Sequence, residues 1–399
     1  MSSPQVSRRR FLQATAAVGA AGSVGVVSGQ SQNGKLVIIY DDGHDGAMSE
    51  ALPVHKEEGV PACAAIVAGY TPWTRKDHDY RLVGDEIRTL EDEGWEIISH
   101  GLYHRNLGEQ PVTQPVAPED EKIWVRDNIH GAFPDREYEI RITDGEKTAT
   151  APVVGANTGE NGDYLILGKP VGKSFDPADG VTERFVESEI RRSMEKSQEV
   201  IASHGIDKPQ HFVYPYGARS PLAQELATEY YTSITNYEVE GLNPMTGLNP
   251  HRLNRQQMEG RALNESELAH MMATISDENR LAVFGAHTQY DDLGPERIRK
   301  VIREAKYQGI DIVTMTEALE AAEIKPKFQE TATKTTTQPP TTTGSTTAGS
   351  AATTGTTNGS GGDGGEQPGA SQLPGMGLLA GAAGLLGGAE LARRRGGED

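Results

Sequence analysis

The sequence predicts an α/β fold in which helices alternate with the strands of a parallel sheet, either open or closed. Short apolar runs rich in β-branched residues recur along the chain, as buried strands require. Longer stretches with helical periodicity separate most of these runs, which is the pattern of repeated βα units. Polar or ionisable residues follow directly after four of the predicted strands. Polar residues placed in this way are typical of a functional site at the edge of the sheet where the parallel strands end.

The predicted elements follow this alternation along the chain. The strands are predicted at Lys35–Tyr40, Val60–Val67, Trp95–Ile98, His211–Tyr214, Leu281–Phe284 and Ile310–Val313. The helices are predicted at Met48–Glu58, Tyr80–Glu93, Glu183–His204, Ser220–Tyr230, Asn264–Ile275 and Pro295–Gln308. Between about residues 116 and 179 the alternation stops, and turn residues surround two segments of strand period, Glu137–Thr143 and Tyr164–Leu167. A small β-rich insertion is therefore expected within a single domain spanning 34–330.

The charge balance limits the classes of binding partner, and the cysteine content limits the possible disulfide bonds. The 399 residues carry a net charge of −19, and residues 34–330 hold 31 Lys and Arg against 52 Asp and Glu. This balance argues against binding to nucleic acid or to anionic membrane surfaces, and such an excess of acid is common in proteins from salt-rich habitats. The single cysteine, Cys63, rules out an intrachain disulfide and is expected to be buried within its apolar run.

The first 33 residues have the composition of an export signal. Consecutive arginines, Arg8–Arg10, precede Phe11, and a stretch rich in Ala, Gly and Val follows. The arginines resemble a twin-arginine signal, and an ordinary secretory signal is the alternative. Either interpretation predicts that export machinery carries the protein out of the cytoplasm.

The last 69 residues form two further segments. Residues 331–372 are rich in Thr and Gly and are predicted to be a disordered stalk. Residues 373–399 contain an apolar stretch and the cluster Arg393–Arg395, and they resemble a PGF-CTERM sorting tail of archaeal surface proteins, with Met376 where that family usually has Phe. The alternatives are a tail that is removed when lipid is attached and a tail that is retained in the membrane. Both predict a protein held at the cell surface.

The polar residues after the predicted strands have chemically useful side chains. Asp41–Gly43 follow the first strand, His100 and His104 follow the third, Tyr216 follows the fourth across Pro215, and His287 follows the fifth. Each motif alone is weak, since it could be a turn, an unrelated histidine pair or a core histidine. The carboxyl ends of parallel strands converge in β/α barrels, so the joint placement predicts an active site there.

These residues belong to motifs that occur in one known family in the same order. The motifs are Tyr40-Asp41-Asp42-Gly43, Ser99-His100-Gly101-Leu102-Tyr103-His104, Tyr214-Pro215-Tyr216-Gly217 and Phe284-Gly285-Ala286-His287. The chain thereby resembles the polysaccharide deacetylases, the NodB-homology group also called carbohydrate esterase family 4. The resemblance covers about 34–110 and 183–322, including Ile310–Leu319 as the last strand and helix, and leaves the insertion unmatched. It implies a distorted (β/α)₇ barrel with one divalent metal ion.

By this resemblance the metal ligands would be Asp42, His100 and His104. Two imidazoles and a carboxylate suit Zn²⁺ or a similar ion and leave coordination positions open, so Zn²⁺ is the expected cofactor.

The resemblance also implies the catalytic groups. Asp41 would be the general base, His287 the general acid, and the backbone N–H of Tyr216 would stabilise the oxyanion.

The chain departs from the family pattern at two places. Val213 stands where the family usually has the Arg that holds the base. A subgroup supplies this Arg later in the chain, so Arg255 is expected to orient Asp41, with Arg252 as a competitor and a surface salt bridge as the alternative. The family's Asp/Trp motif that often supports the catalytic acid is not recognisable.

The predicted function is an extracellular, metal-dependent hydrolase that removes acetyl groups from N-acetylated glycans. One alternative is an amidase of the same fold acting on small non-peptide C–N bonds, and another is a non-catalytic surface glycan-binding protein. Retention of Asp41 together with His287 disfavours the last, because binding needs neither a general base nor a general acid. The export signal and stalk favour a polymeric substrate outside the cell.

Overall fold

The computed structural model describes residues 33–74, 80–131, 138–238 and 240–327. The export signal up to residue 32, the predicted stalk and the C-terminal segment lie outside the described residues. None of the helices within the described ranges is both long enough and apolar enough to cross a membrane.

The described residues form fifteen strands and seven α-helices. The strands are β1 (Lys35–Tyr40), β2 (Cys63–Ile66), β3 (Glu96–Ser99), β4 (Gln110–Pro111), β5 (Lys122–Val125), β6 (Tyr138–Thr143), β7 (Thr148–Gly159), β8 (Gly162–Leu167), β9 (Thr182–Phe185), β10 (His211–Val213), β11 (Ser233–Thr235), β12 (Asn243–Pro244), β13 (Gln256–Gln257), β14 (Arg280–Ala286) and β15 (Asp311–Ile312). The helices are α1 (Leu52–Glu58, after a π-helical turn at Ala47–Ala51), α2 (Gly84–Asp92), α3 (Glu187–Ser203), α4 (Pro221–Tyr230), α5 (Glu265–Asp277), α6 (Pro295–Tyr307) and α7 (Met315–Ala321).

The first sheet is a distorted (β/α)₇ barrel, as the sequence predicts. Its parallel strands run in the order β11, β10, β3, β2, β1, β14 and β13. Leu253, just before β13, makes a parallel bridge to Thr235 of β11, so a short irregular segment joins the two edges of the sheet. β15 pairs only with Lys35 and Leu36, at the amino end of β1.

The interior of the barrel is built from alternate residues of these strands. Val37 and Ile39 of β1 lie in one buried cluster with Cys63, which is fully buried as expected, and with residues of α7. The intervening residues of β1 lie in a second cluster with the surrounding helices. Both faces of the strand are covered, which explains its uninterrupted apolar sequence.

The second sheet is antiparallel and has the order β4, β9, β6, β7, β8, β5. It extends beyond the predicted limits of the insertion at both ends. Residues 183–185, predicted to begin a helix, instead belong to β9, and the helix begins at Glu187. The long strand β7 carries no apolar alternation strong enough to predict it, because its inward positions include Ala149 and Ala151 and it contains Pro152.

Candidate active site

Asp42, His100 and His104 meet at the carboxyl ends of β1 and β3. Asp42 Oδ1 lies 3.0 Å from His104 Nε2 and 3.4 Å from His100 Nε2, and the two imidazole nitrogens are 3.1 Å apart. A tetrahedral ion bound at about 2.0–2.2 Å separates its ligand atoms by roughly 3.3–3.6 Å. The three atoms are therefore spaced closely enough to share one small cation.

The hydrogen bonds around these ligands also fit a cation. His100 Nδ1 donates to the carbonyl oxygen of Val213 at 2.9 Å, so the unprotonated Nε2 faces Asp42. Asp42 Oδ2 accepts from Gln289 Nε2 at 3.0 Å, whereas the buried Oδ1 makes no hydrogen bond within the described residues. A buried carboxylate oxygen without a partner is costly, and a bound divalent ion would compensate it.

The protonation states of the ligands favour metal binding as well. Burial alone would raise the pKa of Asp42, but the two imidazoles hold that pKa well below its usual value. Burial lowers the pKa of His104, although Asp42 acts in the opposite direction. An ionised carboxylate and a neutral imidazole are the forms that bind metal.

Unusual backbone conformations orient several residues of the site. Asp42, His104 and Tyr216 have positive φ values of 67°, 52° and 59°. Such values are uncommon for residues other than glycine, and they cluster at functional sites. The flanking Gly43 and Gly101 also have positive φ, so sharp turns after β1 and β3 direct the ligands to one point.

Asp41 lies beside the ligands in a buried ion pair. Its Oδ2 accepts from Arg255 Nη2 at 2.7 Å, and His287 Nε2 lies 3.5 Å from the same oxygen. Asp41 and Arg255 are 4 % and 1 % exposed. The other carboxylate oxygen, Oδ1, is buried and makes no hydrogen bond within the described residues. One oxygen is thus fixed by the guanidinium and the other is available.

The structure places Arg255, and not Arg252, beside Asp41. The guanidinium carbon of Arg252 lies 5.2 Å from the centre of the Tyr237 ring. Arg255 reaches Asp41 by crossing β14 at Gly285, where a Cβ atom would come within 2.4 Å of Arg255 Nη2. The glycine before Ala286 and His287 therefore leaves the space that the arginine occupies.

A carboxylate that the sequence did not predict holds His287. Glu259 Oε1 accepts from His287 Nδ1 at 2.8 Å and from the His287 backbone N–H at 2.9 Å. Burial alone would lower the pKa of His287, but the hydrogen bond to Glu259 and the negative charges of Asp41 and Glu259 raise it. Glu259 follows the two-residue strand β13, which is too short to predict from periodicity.

Tyr216 lies at the same edge in a short 3₁₀ turn, Pro215–Gly217. The residue is 55 % exposed, and the centre of its ring is 4.6 Å from that of the His104 imidazole. Asn236 Nδ2 donates to the carbonyl oxygen of Tyr214 at 3.1 Å and fixes the start of the turn. The oxyanion role of the Tyr216 backbone N–H stays a prediction.

Comparisons with protein families agree with this geometry. Residues 28–159 match the model of the polysaccharide deacetylase family, and residues 5–25 match the model of the twin-arginine translocation signal sequence. The first match includes Asp41, Asp42, His100 and His104, and it ends before Tyr216, Arg255 and His287. The N-terminal segment is thus a twin-arginine signal, which directs the protein out of the cytoplasm. None of the curated proteins matches the chain significantly.

Solved structures similar to this chain include two carbohydrate esterases. A family 4 acetyl xylan esterase from Clostridium thermocellum in complex with a cobalt ion is 13% identical, with 73% of this chain and 93% of that chain covered and a TM-score of 0.39. A family 4 carbohydrate esterase from Streptomyces lividans in complex with acetate is 10% identical, with 72% and 96% covered and a TM-score of 0.38.

Proposed function

We propose that this chain, which carries a polysaccharide deacetylase domain behind a twin-arginine signal sequence, is a metal-dependent enzyme that removes acetyl groups from N-acetylated glycans outside the cell. The observation that carries the proposal is the position of Asp41. Its carboxylate is held by Arg255, lies 3.5 Å from His287, and directly precedes the ligand Asp42. A base, an acid and a cation site thus lie together.

One divalent ion, with Zn²⁺ expected, would be held by Asp42, His100 and His104. When bound, such an ion polarises the acyl oxygen and lowers the pKa of a water molecule. His100 is kept in the correct tautomer by the Val213 carbonyl. The backbone N–H of Tyr216 donates to the oxygen that becomes negative when the acyl carbon is attacked.

The remaining residues move protons. Asp41 takes a proton from the attacking water, and Arg255 keeps the carboxylate oriented. His287 then gives the proton on Nε2 to the nitrogen of the leaving amine as the C–N bond breaks. Glu259 keeps Nδ1 protonated and the ring aligned. Acetate and the free amine are the products.

The location of the enzyme is part of the proposal. We infer that residues 331–372 act as a stalk and that residues 373–399 attach the protein to the membrane or to lipid. The catalytic domain would then stay at the cell surface, where polymeric glycans are accessible.

Acetate release from a panel of acetylated glycans tests the proposal. Release should stop when a chelator removes the metal and return when Zn²⁺ is added. Elemental analysis should find about one metal ion per chain, which the double variant His100→Ala, His104→Ala should lose. Unchanged metal content in that variant would refute the ligand assignment. Tight glycan binding without acetate release, whatever the metal, would identify a binding protein instead.

A further inference from the structure

The outward face of the second sheet carries a group of large side chains along its β5–β8 edge. In β5, Ile123 and Val125 are buried, so Lys122 and Trp124 point to the opposite face. In β8, Leu165 and Leu167 are likewise buried, and Tyr164 and Ile166 share the outward face of Trp124. The strand register places Trp124 opposite Tyr164 and Lys122 opposite Ile166. These four residues, Lys122, Trp124, Tyr164 and Ile166, are called the Trp124 patch.

The patch is an aromatic surface with one cation. The ring centres of Trp124 and Tyr164 are 5.0 Å apart at an angle of 62°. Lys122 Nζ lies 5.0 Å from the centre of the Trp124 ring and 4.3 Å from that of the Tyr164 ring. Ile166 is 38% exposed, although large apolar side chains are usually more buried. Trp124 and Tyr164 are half-buried, so the patch combines two partly exposed rings with one exposed aliphatic side chain.

Two glycines of the adjoining strand β7 leave space for side chains of the Trp124 patch. A Cβ atom at Gly159 would lie 3.3 Å from Tyr164 Cε1 and 3.4 Å from Trp124 Cη2. A Cβ atom at Gly155 would lie 3.2 Å from Ile166 Cδ1. The two rings therefore lie over the backbone at Gly159, and Ile166 lies over that at Gly155, with the exposed Asn157 between the two glycines.

Amide side chains lie near the rings. Asn157 is the register partner of Tyr164 and is exposed on the same face of the sheet. Gln114 Nε2 donates to the carbonyl oxygen of Asn161 in the turn between β7 and β8. A pair of partly exposed aromatic rings next to such groups complements a sugar ring, which has an apolar C–H face and hydroxyls at its rim.

The size of the patch argues against a protein partner. A stable protein interface uses about 20–30 residues on each side, whereas four residues form this patch. An indole and a phenol ring together match one or two pyranose rings in area. Lys122 adds a donor for hydroxyl or acyl oxygens, in a domain whose overall charge is strongly negative.

We propose that the Trp124 patch is a second glycan-binding site, which holds a polysaccharide strand independently of the active site. The inference shares with the proposed function only the class of ligand. Binding to the patch requires neither the metal ligands nor Asp41, so the two proposals can fail separately.

The test measures binding of the full-length protein to insoluble chitin, xylan and peptidoglycan, with Asp41→Asn present to prevent turnover. Trp124→Ala with Tyr164→Ala should weaken binding to at least one of these polymers by about tenfold. Trp124→Phe keeps a flat ring and should retain most of the affinity. Tyr307→Ala is the matched control, since Tyr307 is 84% exposed on α6, and it should bind as the parent does.

A second measurement separates this site from the active site. In the otherwise wild-type protein, the patch variants should release acetate from a small N-acetylated sugar at the parental rate and from the polymer more slowly. Equal polymer affinity in the double variant and the parent would overturn the proposal, as would binding of the parent to none of the polymers. Patch-dependent binding by a protein that releases no acetate would support this site and refute the proposed function alone.

Discussion

The His287–Glu259 pair of the barrel and the His130–Glu183 pair of the second sheet have the same nitrogen–oxygen distance, 2.8 Å. They differ in what the other ring nitrogen faces. His287 Nε2 points to Asp41 at 3.5 Å, and the side chain is 18% exposed. His130 Nε2 lies 3.0 Å from the carbonyl oxygen of Asn106, and both members of its pair are fully buried.

This difference in surroundings distinguishes a pair placed for proton transfer, His287–Glu259, from a pair placed to support the fold, His130–Glu183. Both ring nitrogens of His130 face acceptors inside the fold, so neither is available to a substrate. Within the described residues, the His287 ring makes one such bond, to Glu259, and its Nε2 faces Asp41.

A third histidine, His211, is also held by two polar partners and lies away from the candidate site. His211 Nδ1 lies 2.8 Å from Ser233 Oγ, and its Nε2 lies 3.0 Å from Glu96 Oε1. This Ser-His-Glu arrangement has the composition of a catalytic triad. It lies at the amino ends of β3, β10 and β11, opposite the edge that carries Asp42 and His100, and Ser233 is fully buried.

The largest expected effect comes from the barrel pair. His287→Ala should lower acetate release by about 10²–10⁴, the usual contribution of a positioned acid or base. Asp41→Asn should do the same by removing the basic oxygen, while metal content stays unchanged in both variants. Turnover and elemental analysis measure these effects. Full turnover in both variants would refute the assigned proton transfers.

Breaking the pair in the second sheet should affect folding instead. His130→Leu leaves Glu183 buried without a partner, which is expected to cost about 3–5 kcal/mol in the free energy of unfolding. The double variant His130→Leu, Glu183→Leu should regain most of that loss, because no buried charge remains. Denaturant unfolding measures both. A single variant as stable as the parent would show that the pair contributes nothing.

Glu259→Gln tests whether the carboxylate tunes His287. Turnover should fall about 10–100-fold, as for other residues that orient a functional imidazole. Glu259 raises the pKa of His287, so the variant should lose the protonated acid at lower pH. The alkaline limb of the pH profile of kcat should therefore move to lower pH. A limb that stays in place would leave Glu259 with a structural role only.

The sequence predicts those parts of the site that have local signals. Asp41, Asp42, His100 and His287 each follow an apolar run within a few residues, so the end of a strand locates them. Glu259 follows a strand of two residues, and only its pairing with β14 places it beside His287. The partners His130 and Glu183 are 53 residues apart, in a sheet whose longest strand has weak alternation.

The smallest expected effect concerns His55, a buried histidine with one donor and one acceptor nitrogen. Its Nδ1 donates to the carbonyl oxygens of Val60 and Pro61 at 3.3 and 3.2 Å, and its Nε2 accepts from the Tyr40 hydroxyl at 2.9 Å. This arrangement requires a neutral ring, and burial lowers the pKa of His55 to about 4.

Because the folded pKa lies below the unfolded value of 6.5, the unfolded chain binds the proton first as the pH falls. The contribution of His55 to stability is therefore complete at neutral pH and is lost between about pH 6.5 and pH 4. Between pH 7 and pH 5.5 the loss should be about 1 kcal/mol. His55→Gln keeps one donor and one acceptor but does not titrate, so its free energy of unfolding should fall less over this interval. Identical pH slopes for the variant and the parent would mean that the His55 ring is not held neutral in the folded protein.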